Sequence, residues 1–436
     1  MPAAPHDPYA ALRFPGYRTY TLGRSFFFLA SQMQTVAVTW DIYQRLRLNL
    51  KDAAMAMGYI GLVQVLPIIF FALPAGQVAD RFSRKTIVMT TQLLFALCAL
   101  GFFLLSRTGA PVALYYVLLF IAATGRAFTI PAVSALFTTL VPREVLPNAS
   151  MWNSTVFQLS AMAGPMLGGF IVAGHGADAA GPQTAYLVNI GLAAVGFFMF
   201  RMSAPIMKGD RATPITFESL LSGVKFVFKT RFLLALMSLD LFAVLLGGAT
   251  ALLPIFASDN LHVGGWGFGL LRAAPSTGAV LMALLTAHLK PWKQAGRAML
   301  WAVAGYGVAT LVFGLSKWFW LSFAALALTG AFDNISVVVR QTLMQMITPN
   351  QMRGRVSSVS SVFISCSNEL GEFESGFTAR LFGPVGSVIL GGIGTLCVVL
   401  GAALIFPELK RLGQLHEMKP IDIEKATDEQ LVETGN

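Results

Sequence analysis

Gly76-Gln77-Val78-Ala79-Asp80-Arg81-Phe82-Ser83-Arg84-Lys85 is a short charged stretch set between two apolar runs, residues 54–79 and 86–106. About 20 apolar residues cross the roughly 30 Å hydrocarbon core of a bilayer, so each run is long enough to span one. The stretch carries Arg81, Arg84, Lys85 and the carboxylate of Asp80, whereas its flanks carry almost no charge. It is too short to form more than a tight turn. Helix, charged turn, helix is therefore the unit from which the rest of the chain is read.

The composition extends that unit to the whole chain. Its 436 residues are 55% hydrophobic and only 12% charged, with a mean hydropathy of +0.66. Soluble domains carry about 25% charged residues, so this is the composition of a polytopic membrane protein. The net charge of +10 is scattered between apolar segments rather than gathered on one face or tail, which argues against a nucleic-acid partner. Cys98, Cys366 and Cys397 lie far apart inside apolar runs, with neither a disulfide framework nor metal-ligand spacing, and read as small buried hydrophobes. No phosphate-binding G-x-x-x-x-G-K-[ST] string occurs, which disfavours ATP-driven export by this chain. No cofactor, metal or enzymatic chemistry is expected. The polar residues 1–18 precede no short cleavable apolar region, so the first hydrophobic segment is expected to remain as a spanning helix.

Windows of about 19 residues mark twelve expected spans. They lie near 20–44, 54–79, 86–106, 111–135, 149–173 and 184–203, then 232–256, 265–288, 297–315, 318–341, 356–379 and 385–406. The expected fold is all-α and integral to the membrane, with six-helix halves at 1–203 and 232–408, a cytoplasmic linker at 204–231 and a polar cytoplasmic tail at 409–436. Within the linker, residues 217–229 have helical periodicity and are expected to lie flat at the membrane surface. With the N-terminus in the cytoplasm, about 22 of the 31 Lys and Arg residues fall on the cytoplasmic side. Arg45, Arg47, Lys51, Arg107, Lys317 and Arg380 fall outside, and Arg126, Arg272 and Arg340 lie within spans. The bias places both termini in the cytoplasm, although the cluster Arg45, Arg47 and Lys51 runs against it. A shift of about 207 residues brings Pro142 onto Pro349, Ser160 onto Ser367, Gly164 onto Gly371 and Gly169 onto Gly376. Duplicated bundles of this kind are the expected build of a secondary transporter.

The pattern Gly76-x-x-x-Asp80-Arg81-x-x-Arg84-Lys85 resembles the signature loop of the major facilitator superfamily in position, spacing and residue type. Twelve spans with a central linker carry the resemblance over nearly the whole chain. It implies two pseudo-symmetric six-helix bundles, latched on the cytoplasmic side by Gly76, Asp80, Arg81, Arg84 and Lys85. Gly76 permits close helix approach, and Asp80 near a helix end suits pairing with cations or a helix N-terminus. A purely topogenic loop would need the cations but neither Gly76 nor Asp80. Residues Ser160 to Gly169 resemble the antiporter signature G-x-x-x-G-P-x-x-G-G, with Ser160 in place of the first glycine and Gly164, Pro165, Gly168 and Gly169 matching. Proline there removes a backbone hydrogen bond and is expected to kink the helix; the small residues allow close packing, generic packing being the alternative reading. The turn Pro349-x-x-Met352-Arg353-Gly354-Arg355-Val356 resembles that of the enterobactin-exporter and macrolide-efflux branch. The loop from Lys290 to Arg297 keeps the charge but lacks the Gly-x-x-x-Asp core, so the latch is not duplicated intact.

The remaining signals are charges inside spans. Arg126 resembles the arginine of a superfamily motif linked to proton coupling; an arginine in the membrane needs a partner or a wet cavity, and snorkelling is the alternative. In span eleven, Glu369 and Glu372 are three residues apart on one helical face, with Glu374 to the side. Neighbouring carboxylates in a poorly hydrated site suit a group that takes up and releases protons. Asp333 and Asp240 are further candidates, and static pairing with Arg272 or Arg340 is the alternative. Asp41 ends a polar stripe with Arg24, Gln32 and Gln34 and marks the mouth of a pathway, while Trp40 and Tyr43 are expected in the interfacial aromatic belt. Together these features point to a secondary active exporter, a proton antiporter of alternating access. It moves a small amphipathic compound, drug-like or siderophore-like, across the bacterial inner membrane, with the small molecule, protons and lipid as partners. A proton-coupled importer and a non-transporting receptor on the same fold are the alternatives.

Overall fold

The computed structural model describes residues 7–174, 180–203, 217–288 and 294–407. Among these residues the regular structure is helical throughout, as the continuous apolar runs require in a solvent that cannot hydrogen-bond a free backbone. The helices of the first half are α1 (Pro15–Leu46), α2 (Leu50–Arg81), α3 (Arg84–Thr108), α4 (Val112–Phe137), α5 (Leu146–Ala173) and α6 (Ala180–Ser203). Then follow α7 (Phe217–Lys229), α8 (Arg231–Gly247) and the three-residue α9 (Leu253–Ile255), which leads into a π-helical turn at Phe256–Asn260. The chain continues as α10 (Gly264–His288), α11 (Ala295–Leu315), α12 (Phe319–Ile347) and α13 (Asn350–Ile405).

Ten helices among the described residues are long and apolar enough to cross a membrane. The sequence leads to twelve, and two features account for the difference. Helix α1 has 32 residues, but Arg24, Gln32, Gln34 and Asp41 dilute its apolar character. The last two expected spans are joined in α13, whose 56 residues are broken only at Gly383, with φ 80° and ψ 162° just before Pro384. Only glycine adopts that backbone region readily.

The opening stretch also differs from its expected form. Helix α2 continues through Arg81, so Gly76 to Arg81 is helical and the break is confined to Phe82 and Ser83. The Ser83 hydroxyl then caps α3 by accepting from the Thr86 N–H at 3.4 Å. Pro165 sits inside α5, which runs over 28 residues.

Two compact units emerge, Met1–Asp41 with Leu66–Ile215, and Ile42–Val65 with Thr216–Asn436. In the first, Tyr17, Tyr20, Ile87, Val133, Leu136 and Phe200 form an apolar core. In the second, Phe226 and Val227 of α7 are buried against Phe232, Leu236, Val339 and Leu343. One face of the linker helix is therefore packed into protein, while Lys225, Phe228 and Lys229 stay exposed. Cys98 is buried as expected, but Cys366 is half-buried and Cys397 exposed.

Candidate functional site

In the second unit the chemistry centres on α8 and α12. Asp240 of α8 and Arg340 of α12 are both buried and form an ion pair. An isolated charge at this depth is costly, and a partner of opposite sign offsets much of that cost. Asp333 lies seven residues before Arg340, two helical turns along the same face of α12. Asp333, Asp240, Tyr306 and Ser336 line a small cavity of about 10 Å³, closed on its apolar side by Ala243 and Phe332. That is room for about one water molecule. The Tyr306 hydroxyl donates to the carbonyl of Gly247 at 3.1 Å, where α8 ends. Asp333 has no ion-pair partner among the described residues, so the cavity is shared by one paired and one unpaired carboxylate.

The acids of α13 are a separate group. Glu372 Oε1 lies 3.7 Å from a guanidinium nitrogen of Arg272 on α10, and both side chains are largely buried. Glu369 and Glu374 are half-buried, and Glu374 forms no ion pair among the described residues. Residues 42–65 belong to the same unit, which brings the first part of α2 against this face. A side chain at Gly61 would meet the Glu369 carbonyl oxygen and, at 2.8 Å, the Glu372 Cβ. One at Gly58 would lie 3.1 Å from the Cα of Gly376. The acids therefore lie on a tight seam between helices.

In the first unit, Asp41 is buried and accepts hydrogen bonds from Tyr115 at 2.8 Å and Tyr186 at 3.3 Å. Phe102 stacks on Tyr186 with ring centroids 5.7 Å apart. Asp41 is thus tied to α4 and α6 as well as to its own helix. Trp40 is buried, and so is Tyr43, whose hydroxyl donates to Asp259 at 2.8 Å within the second unit. Both rings are thus buried in protein rather than exposed on its exterior, and the Tyr43 hydroxyl is held by Asp259. Arg126 is half-buried on α4.

The signature residues have local partners in this unit. Arg84 donates to the carbonyl of Ala135 at 3.1 Å, near the end of α4, and Lys85 to that of Arg201 at 2.6 Å, near the end of α6. Cations at helix C-termini meet both free carbonyls and a favourable dipole. Gly76 is half-buried and Arg81 exposed, while the Asp80 side chain lies outside the described residues. Ser160 donates to the Ser25 carbonyl at 3.4 Å. A side chain at Gly164 would lie 2.9 Å from the Leu29 carbonyl oxygen, and one at Gly168 3.1 Å from Met33. The motif thus seats α5 against α1; Pro165 and Gly169 are buried in the same helix. The sequence-based selection passed over Tyr115, Tyr186, Tyr306, Asp259 and Phe332. Tyrosine inside an apolar run is the available signal, because a buried hydroxyl seeks a hydrogen-bond partner.

A family model described as transmembrane secretion effector matches residues 6–433. The chain belongs to this family, a branch of the major facilitator superfamily. It is similar to the enterobactin exporter EntS of Citrobacter koseri, with 28% identity over 353 residues, covering 78% of this chain and 80% of that protein. The enterobactin exporter EntS of Escherichia coli O1:K1 / APEC is 27% identical over the same share of each chain. Among solved structures, a D-xylose-proton symporter superposes with a TM-score of 0.71 at 14% identity, covering 91% of this chain and 99% of the other. A bacterial homologue of the human lysosomal transporter Spinster, inward-facing and unoccupied, gives 0.69 at 14% identity over 91% and 97%. These likenesses establish the major facilitator fold. The family member described here is a multi-pass membrane transporter and not an enzyme.

Proposed function

We propose that this chain is a proton-coupled antiporter that exports a small amphipathic, siderophore-like compound across the bacterial inner membrane by alternating access. The observation that carries the reading is a water-sized cavity lined by Asp333 and by Asp240, the carboxylate paired with Arg340. Asp240 has its cation in Arg340, whereas Asp333 has no ion-pair partner among the described residues, which leaves room for one mobile positive charge, supplied on this reading by a proton. Similarity to enterobactin exporters over four-fifths of their length supports export and the compound class. Glu369, Glu372 and Glu374 are the second acid group on this reading, with Arg126 and Asp41 the charged positions of the first unit. Gly76, Asp80, Arg81, Arg84 and Lys85 serve the cytoplasmic gate.

The test uses purified protein in vesicles with an imposed pH gradient and enterobactin as the probe. Export predicts enterobactin movement against the direction of proton flow, and movement with the protons would make the chain an importer. Absence of coupled flux across a wider panel of siderophores and drugs would favour a receptor. Glu369→Gln and Glu372→Gln are expected to abolish coupled flux while the protein stays folded. Unchanged flux in the double variant removes these two acids from the mechanism.

A further inference from the structure

A second cavity in the same unit lies on the opposite side of α11 and α12 from the acids, facing the exterior of the bundle. It has a volume of about 410 Å³ and is lined by Trp301, Val308 and Val312 of α11 and by Leu321, Leu328 and Phe332 of α12. No charged residue contributes to it. Small residues make it concave, namely Ala304, Gly305, Ala309, Ala324 and Ala325. From Trp301 to Val312 it runs roughly 16 Å along α11 at the rise of an α-helix. That matches the ~15 Å of hydrocarbon in one leaflet of a bilayer.

Phe332 belongs to both cavities. Its ring fills the space that a side chain at Gly305 would take, which would come within 2.7 Å of the ring's Cζ. Gly305 lines the outer groove while Tyr306 lines the inner cavity, and Phe332 is followed by Asp333. Consecutive residues of α11 thus line opposite cavities, with the Phe332 ring common to both. That ring is the partition between the exterior and the Asp240 and Asp333 cavity.

We propose that the outer groove is a binding site for one acyl chain of a membrane phospholipid, which backs Phe332 and seals the acid cavity from the hydrocarbon. The groove is continuous with the lipid-facing surface, because Trp301 is 76% exposed and Val308, Val312, Leu321 and Leu328 are exposed beside it. Its length is that of a chain standing along the bilayer normal. An amphipathic transported compound would need a polar anchor, and the lining has no charged group to provide one.

Photolabelling tests the site in the full-length protein. Phosphatidylcholine carrying a diazirine at mid-chain is added to purified protein in detergent at a few lipids per chain, and the adducts are mapped by mass spectrometry. Adducts are expected to concentrate on peptides containing Trp301, Val308, Leu321 and Leu328, to be displaced by unlabelled phosphatidylcholine, and to fall several-fold in the groove-filling variant Ala304→Leu with Ala324→Leu. The competition arm needs no variant and holds if that variant fails to fold. Adducts spread evenly onto Leu281, Leu284 and Leu285 of α10 would overturn the proposal, as would displacement by enterobactin but not by phosphatidylcholine. Labelling that rises on diluting the protein would also overturn it, since a second copy would then occupy the groove.

Discussion

Asp240 and Arg340 are buried away from bulk water, so each depends on the other. Removing one partner leaves a buried, unpaired charge, whereas removing both leaves an apolar contact that packs. Asp240→Leu and Arg340→Met are each expected to destabilise the protein by about 3–5 kcal/mol, with the double variant recovering most of that loss. Denaturant unfolding in detergent measures the cycle; single variants no less stable than the double would show that the pair holds nothing. Asp41 obeys the same logic through neutral donors. Tyr115→Phe removes a hydrogen bond to a charged group and is expected to cost about 1.5–3 kcal/mol in the same assay, and Tyr186→Phe, with the longer bond of 3.3 Å, less. A neutral Tyr115→Phe would mean that Asp41 is held by other groups. The acids themselves were legible in the sequence, because a charge in an apolar run stands out. Arg272 and Arg340 were legible too as static partners, but not which acid each would meet: Arg272 meets Glu372 and Arg340 meets Asp240, while tyrosine hydroxyls are hidden in apolar runs.

Helices approach closely only where one of them lacks a side chain. A Cβ at Gly278 of α10 would run into the carbonyl of Ala327, and one at Gly330 of α12 into the carbonyl of Pro275. These contacts are with backbone, which cannot rotate aside as a flexible side chain would. Gly278→Ala and Gly330→Ala are therefore expected to cost about 1–3 kcal/mol each by overpacking. At Gly191 and Gly401 nothing lies within 4 Å, and alanine there should be neutral or stabilising, since helical glycine is up to about 1 kcal/mol worse than alanine. Thermal unfolding of the four variants separates the two classes; equal shifts would mean that the close approach carries no energy. The internal repeat was visible in the sequence, and the structure gives it a physical meaning. Gly164 abuts α1 at the Leu29 carbonyl oxygen, and its counterpart Gly371 abuts α8 at those of Val244 and Leu245. The α2 and α3 boundary was less legible, because Gly76 to Arg81 carries the composition of a turn. Its backbone remains helical because no residue after Gly76 prevents it, and the first cap appears only at Ser83.

At the scale of the molecule, the distribution of Lys and Arg predicts which face of the membrane each turn occupies. Arg45, one of the residues that run against the bias, lies in the last turn of α1, where a cation complements the helix dipole. Such a cation answers to its helix rather than to the membrane. The α2 and α3 break should be cytoplasmic and the α3 and α4 turn external, because Arg81, Arg84 and Lys85 cluster at the first while Arg107 stands alone at the second. The 25 residues of α3 extend about 37 Å, enough to hold the two turns on opposite sides. Single cysteines at Phe82 and Thr108, both exposed, report on this in a chain whose three native cysteines are replaced by alanine. An impermeant maleimide is expected to label Thr108→Cys in spheroplasts and Phe82→Cys only in inverted vesicles. The reverse pattern would invert the whole topology and with it the direction assigned to transport. Labelling of both from one side would instead mean that α3 does not cross the membrane.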